Sequence, residues 1–229
     1  MNRVNPSQNS SAMIRTLTLI ATISGLLVVI VFELTRPLIA ENQRIAVEQA
    51  IFQVIPAAVE WQEYRLNDDK LLPASVDKPN SGIAIYAGFN QQGHLAGIAT
   101  EAAAQGYADT IRLLYGYNAE CECITGIKIL KSAETPGLGD KIFKDLDFIA
   151  NFKRLVAKLN GQQDDLENSI VTVKHGKKTE PWQIDAISGA TVSSRAIGKA
   201  LNNSAQYLLP RVVHQLGVIK PISNMEEKS

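Results

Sequence analysis

The chain has little of what builds metal centres or disulfide scaffolds: its 229 residues include two cysteines and three histidines. His94, His175 and His214 are scattered without ligand spacing, so a metal site lacks its ligand set. Cys121 and Cys123 are expected to be structural thiols, paired or free. On a strand their sulfurs would share one face, where an i, i+2 disulfide is strained. Charge of neither sign is in excess, with 23 Lys and Arg against 23 Asp and Glu and no long basic block. That removes the electrostatic footprint of a nucleic-acid-binding protein. No Gly-x-Gly-x-x-Gly follows a strand-like run, so direct NADH binding has no basis in the sequence. Internal repeats are also missing.

One long apolar run is present. Thr16 to Phe32 is uncharged between Arg15 and Glu33, and at 1.5 Å per residue its roughly 17 residues cover about 25 Å. Met13 and Ile14 extend it if Arg15 snorkels, as do Leu34 and Thr35 at the far end, giving a single spanning helix over 13–35. Its eleven Leu, Ile, Val and Phe residues favour insertion by on the order of 3 to 7 kcal/mol. Arg3, Arg15 and the amino terminus lie before the run, whereas Glu33, Arg36, Glu41 and Arg44 are mixed after it. This bias predicts a cytoplasmic tail over 1–12 and a translocated C-terminal part. Leu38-Ile39-Ala40 is a poor cleavage site, which favours an uncleaved anchor over a signal peptide.

With 45% hydrophobic residues the remainder can bury one substantial core. Ile45, Val47, Ile51, Phe52 and Ile55 have helical spacing up to Pro56, and Leu66 to Ser81 reads as a polar, proline-containing loop. The segment 36–80 is therefore expected to be a membrane-proximal helix and connector. Strand-like runs follow at 82–89, 95–102, 110–117, 124–131 and 170–174, with helices over 147–158 and 193–208. Ile197, Leu201, Ala205 and Leu208 share one face of the second helix, which should pack on the sheet until Pro210 kinks or ends it. The charged segments 164–167 and 174–178 read as solvated rims. The expectation is an α+β domain over 81–217 with a mainly antiparallel sheet and packed helices, then a tail over 218–229.

Two motifs carry chemistry. In Asp185-Ala186-Ile187-Ser188-Gly189-Ala190-Thr191, Gly189 permits a turn closed to other residues, Ala190 leaves space, and Thr191 offers a hydroxyl just ahead of a helix. A phosphate on Thr191 would face that helix's free N–H groups, while Ser188 or Ser193 is a candidate cap. In Glu134-Thr135-Pro136-Gly137-Leu138-Gly139-Asp140-Lys141, the proline and glycines form a turn whose backbone can approach a flat ligand closely.

Taken together, these motifs resemble the FMN-binding domain of the G subunit of Rnf-type ion-translocating electron-transport complexes. The C subunit of sodium-translocating NADH:quinone reductase is the related alternative. The likeness spans about residues 81–217 and includes Gly106-Tyr107 ahead of an apolar strand. It implies one FMN attached covalently through its phosphate to Thr191, with Asp185, Ser188, Gly189 and Ala190 as the acceptor sequence of a flavin transferase. It also implies that Glu134, Thr135, Gly137, Leu138 and Lys141 form a loop against the flavin. Tyr107 is a better stacking candidate than Trp61 or Trp182.

The implied partners are the other membrane and peripheral subunits of the complex, with the lipid bilayer along 13–35. The implied location is the cell inner membrane, single-pass, with a periplasmic C-terminal domain. Electron flow between ferredoxin and NAD⁺, coupled to sodium or proton movement, is the implied activity, for which no acid–base pair or nucleophile is required. The chain departs from the pattern at Asn118-Ala119-Glu120-Cys121-Glu122-Cys123, where the family has an Asp/Asn-Gly hairpin, and at Ala108, where glycine is common. A flavinylated domain of a different respiratory reductase and an anchored assembly module without flavin are the other classes open.

Overall fold

A computed structural model describes residues 6–67, 69–74 and 82–220. Arg3, the start of the expected tail, part of the expected 66–81 loop and most of the 218–229 tail lie outside the described residues. The chain divides into two compact units, Met1–Ala46 and Val47–Ser229. In the first, helix α1 (Pro6–Val54) contains the one helical stretch among the described residues that is long and apolar enough to cross a membrane. Leu17, Val28 and Leu34 are exposed there. The threonine hydroxyls donate hydrogen bonds to carbonyls one turn back, Thr16 to Ala12, Thr22 to Thr18 and Thr35 to Val31, at 2.8–2.9 Å. That satisfies groups which hydrocarbon would otherwise leave unpaired. Pro37 lies inside α1.

The second unit is built on a seven-stranded antiparallel sheet in the order β2-β1-β3-β4-β5-β6-β7. The strands are β1 Glu60–Asn67, β2 Lys70–Pro73, β3 Ile83–Phe89, β4 Leu95–Gln105, β5 Thr110–Asn118, β6 Cys123–Lys131 and β7 Leu155–Val156. A parallel pair, β8 Val171–Val173 and β9 Gln183–Asp185, stands beside it. The fold is α+β with a mainly antiparallel sheet, as its alternating runs predict.

The expected connector over 36–80 is corrected at both ends, because the compact unit begins at Val47 and β1 and β2 form a hairpin of the main sheet. In β1 alternation is masked by charge: Tyr64 and Leu66 enter the core, while Glu63 and Arg65 pair with each other on the opposite face. The expected helix over 147–158 shrinks to α2, Leu146–Ala150. Asn151 stops it, its side-chain amide donating to the carbonyls of Asp147 (3.3 Å) and Phe148 (3.0 Å). Leu155 is then free to pair with Ile124 and bury completely.

Both sheet faces are covered. Helix α3 (Thr191–Val212) packs on one, with Ile197, Leu201, Ala205 and Leu208 all buried and the Tyr115 hydroxyl 3.0 Å from Ser204 Oγ. Burial pushes the Tyr115 phenol well above its ordinary pKa. Helix α3 begins two residues earlier than the sequence suggests, and Pro210 sits within its last turn. On the other face lie Ala50, Ile51, Val54 and Ile55. Their close approach depends on the cross-strand pair Gly116 and Gly126: a Cβ built on Gly116 would stand 2.1 Å from the Val54 carbonyl oxygen. Thr125 Oγ1 also donates to that oxygen. Gly116→Ala is accordingly expected to destabilise the domain by about 1–3 kcal/mol, since the atoms in the way are backbone. A denaturant midpoint equal to the parent's would show that the helix end can retreat.

At the β5–β6 turn, Asn118 Oδ1 accepts from the N–H groups of Glu120 (2.7 Å) and Cys121 (3.1 Å), and Glu122 takes a positive φ of 49°. Cys121 and Cys123 form a disulfide across it, with their Cα atoms 5.2 Å apart. The premise of two cysteines on one strand is corrected: Cys121 lies in the turn, so the pair closes within ordinary Cα spacing. The bridge and the asparagine do the work of the missing Asn-Gly hairpin.

Candidate functional site

Three segments meet at one end of the sheet: the β4–β5 turn, the loop leaving β6, and the turn entering α3. Between them is a cleft of about 300 Å³. Tyr107 lines it from the first segment, Glu134, Thr135, Leu138 and Gly139 from the second, and Gly189, Ala190, Thr191, Val192 and Ser193 from the third. Tyr107 is 75% exposed, and Leu138 and Val192 are about half exposed, at 53% and 51%, so the rim is apolar and open.

Glu134 is buried and ties the three walls together. Its Oε1 accepts from the backbone N–H groups of Tyr107 (2.9 Å) and Ala108 (3.1 Å), and its Oε2 accepts from the Ser193 hydroxyl. Room for the carboxylate is made by neighbours without side chains. A Cβ on Gly106 would lie 2.4 Å from Oε1, and one on Gly139 2.5 Å from Oε2. The family resemblance implies a loop with Glu134 against a flavin, and the sequence offers Ser193 as a candidate cap; their mutual bond, 59 residues apart in the chain, is not legible there.

Among the described residues no side chain caps the entry to α3. Ala190 is the N-cap residue, and the first intrahelical bond runs from Ser194 N to Ala190 O at 2.9 Å. The expected caps are corrected, because Ser193 is spent on Glu134 and Ser188 is exposed elsewhere. It is Ser194 that braces the turn, accepting from Ile187 N (3.1 Å) and donating to Ala190 O (2.9 Å). Thr191 is therefore the first helical residue, half-buried at the cleft, beside N–H groups of the opening turn that have no carbonyl to meet. Positive φ at Gly189 (82°) and Gly137 (80°) shapes the two turns, and in both a Cβ would meet nothing within 4 Å.

The structure does not place all the expected residues together. Gly137 forms the exposed crest of its loop. Lys141, Asp185 and Ser188 line a second depression, of about 210 Å³, on the other side of the Ser188–Thr191 turn. Asp185 holds that side in shape. Its Oδ1 accepts from Gly176 N at 2.7 Å, its Oδ2 is 3.5 Å from His175 Nδ1, and its own N–H donates to Asn151 at 3.0 Å. Trp61 packs edge-on to Tyr86 at 5.7 Å, in the cluster beneath the end of α1.

A one-sided cleft against a helix N-terminus, walled by a glycine-rich loop and rimmed by apolar groups, defines the class: residues 106–206 match the FMN-binding domain. The chain is 31% identical over 198 residues to the G subunit of an ion-translocating oxidoreductase complex of Vibrio cholerae, covering 84% of this chain and 87% of the relative. The same-named subunit of Methanosarcina acetivorans is 26% identical over 206 residues, with 90% and 97% covered. The chain belongs to the family of G subunits of ion-translocating oxidoreductase complexes. Its fold is shared with NqrC of Shewanella oneidensis, at a TM-score of 0.61 and 15% identity, over 78% of this chain and all of that one.

Proposed function

We propose that this chain is the anchored flavin subunit of its complex, holding one FMN by a phosphoester to Thr191 and relaying electrons between neighbouring subunits. The observation that carries this reading is the placement of the Thr191 hydroxyl at the cleft, on the first turn of an uncapped helix. An anionic phosphate there is favoured by the unpaired N–H groups and the positive end of the helix dipole. The residues fit the group: the cleft lies at the small end of ligand-pocket sizes of about 300–1,000 Å³, in keeping with a ligand left partly open to a redox partner.

When bound, the isoalloxazine ring accepts and donates one or two electrons. The protein's own part is positional. Tyr107, Leu138 and Val192 offer apolar surface at the rim, Glu134 locks the walls, and Gly137 and Gly189 let the loops turn beside the ring and the phosphate. A covalent tether keeps the flavin at an effective concentration of order mM where a free cofactor would diffuse away.

The anchor over 13–35 and the flanking charges support a single-pass inner-membrane protein with its C-terminal domain in the periplasm. The Cys121–Cys123 disulfide agrees, since such bonds persist in oxidising compartments. A flavin transferase would act on Thr191 there. By resemblance to Rnf complexes, the electrons pass between ferredoxin and NAD⁺ with sodium or proton movement.

The test is direct: native protein is expected to fluoresce under ultraviolet light after denaturing electrophoresis and to exceed the polypeptide mass by one FMN less water. A dark band of unmodified mass, from cells that contain the transferase, refutes the reading. Gly137→Val is expected to leave Thr191 modified but move the flavin's potential, because a β-branched residue at this φ costs about 1–3 kcal/mol and forces the loop to re-form. A redox titration superimposable on the parent's would separate that loop from the ring.

A further inference from the structure

We propose that the outer edge of β6 receives an extended segment from a neighbouring subunit, added as a further strand and carrying carboxylates opposite Lys128 and Lys131. The inference rests on the chain being one subunit of a complex, and not on the flavin. Strand β7 pairs only with Cys123 and Ile124, so from Gly126 to Lys131 the strand has β5 as its sole partner among the described residues. Every second residue of such an edge turns its N–H and C=O outward, ready to pair with another chain. The opposite edge is guarded: β2 is four residues long, and the Gln215 side chain takes the Leu71 N–H at 2.9 Å.

A groove of about 480 Å³ runs along the β6 edge. Gln53 flanks it on one side, and Ile142, Phe143 and Ile149 on the other. Ile127 and Ile129 are only half-buried, and Phe143 is 44% exposed. An extended segment with apolar side chains on one face would cover all three.

Charge selects the occupant. Among the described residues the groove has two cations, Lys128 and Lys131, and no carboxylate in its lining. Among the described residues Lys131 has only a long contact to Asp109, 3.8 Å, with both side chains well exposed. Edge lysines ordinarily repel a stray strand. Beside an apolar groove they also select, because a strand bearing Asp or Glu is the one they admit. A second copy is disfavoured, since β6 against β6 would bring lysines toward lysines. Mode and composition together describe strand addition, in which the backbone supplies affinity and alternate side chains supply specificity. The groove is also bounded by Ser132 and Ile142, the two ends of the segment that carries the flavin-side loop, so the docked segment would lie next to the electron-carrying cleft.

The test uses the intact membrane complex. A photo-crosslinking residue at Lys128 of the full-length chain is expected to join one neighbouring subunit, in a peptide rich in Asp or Glu. Amide exchange over 126–131 should slow at least tenfold in the complex relative to the isolated chain. Lys128→Glu with Lys131→Glu should lower recovery of that subunit on the tagged chain about tenfold with an unchanged melting temperature, whereas Lys→Arg at both positions should retain it. Crosslinks to a second copy or to lipid alone, or unprotected edge amides in the complex, overturn the proposal. Gel fluorescence of the same bands reads the flavin separately: a dark band with the crosslink intact supports the docking edge while counting against the covalent flavin.

Discussion

Thr191→Ala is expected to abolish covalent flavin completely, leaving a folded chain of unmodified mass that stays dark on a denaturing gel. Four hydroxyls stand in or next to the turn entering α3, and the structure separates their roles: Ser194 braces the turn itself. Ser193 donates to Glu134, Ser188 faces the depression on the far side of the turn, and Thr191 lines the cleft. Deleting its hydroxyl removes the oxygen that the proposed phosphoester requires, while a half-buried threonine at a helix start costs no more than about 0.5 kcal/mol on truncation. Thr191→Ser should restore part of the fluorescence. Full modification of the alanine variant, located by peptide mapping, would transfer the attachment to another residue and undo the assignment.

The second large effect is expected at Glu134. Replacement by alanine strands three donors at once, the N–H groups of Tyr107 and Ala108 and the Ser193 hydroxyl. At about 1–3 kcal/mol for each unsatisfied group, reduced because water can enter through the open cleft, the loss comes to about 2–4 kcal/mol. For a domain of this size that is a drop in melting temperature of about 5–15 °C. Glu134→Gln should cost about 1 kcal/mol, since the amide oxygen still accepts from the two backbone groups and its NH₂ can donate to Ser193. The ordering Ala far worse than Gln is the diagnostic result, read from thermal unfolding with and without the flavin. If the alanine variant melts with the parent, the three walls are held by something other than this carboxylate.

Both predictions rest on residues visible in the sequence, yet these are legible to different degrees. Thr191 stands out because its surroundings are local: a glycine that turns, an alanine that leaves space, and a helix starting at once. Glu134 can be placed in a loop but not given its partners, since Tyr107 and Ser193 reach it across 27 and 59 residues. Strand β1 escapes a reading of the pattern because Trp61, Glu63 and Arg65 on its opposite face blur the alternation of Tyr64 and Leu66. The helix expected over 147–158 is too long because Leu155 suits a helix face as well as a strand, and only the edge of β6 decides between them.

By itself the sequence determined the apolar helix that can cross a membrane, strands β3 to β6 and the sheet-facing stripe of α3, and it marked the turn at Gly189 that leads into that helix. Each depends on periodicity or on backbone freedom within a few residues of chain. The tertiary structure alone decided that Gly116 and Gly126 form the bed for the end of α1, that Glu134 joins three loops, and that Asp185, Lys141 and Ser188 lie apart from the cleft that holds Thr191. Contacts of that kind depend on which distant backbones are brought close to one another, and no local pattern of residue types encodes that distance.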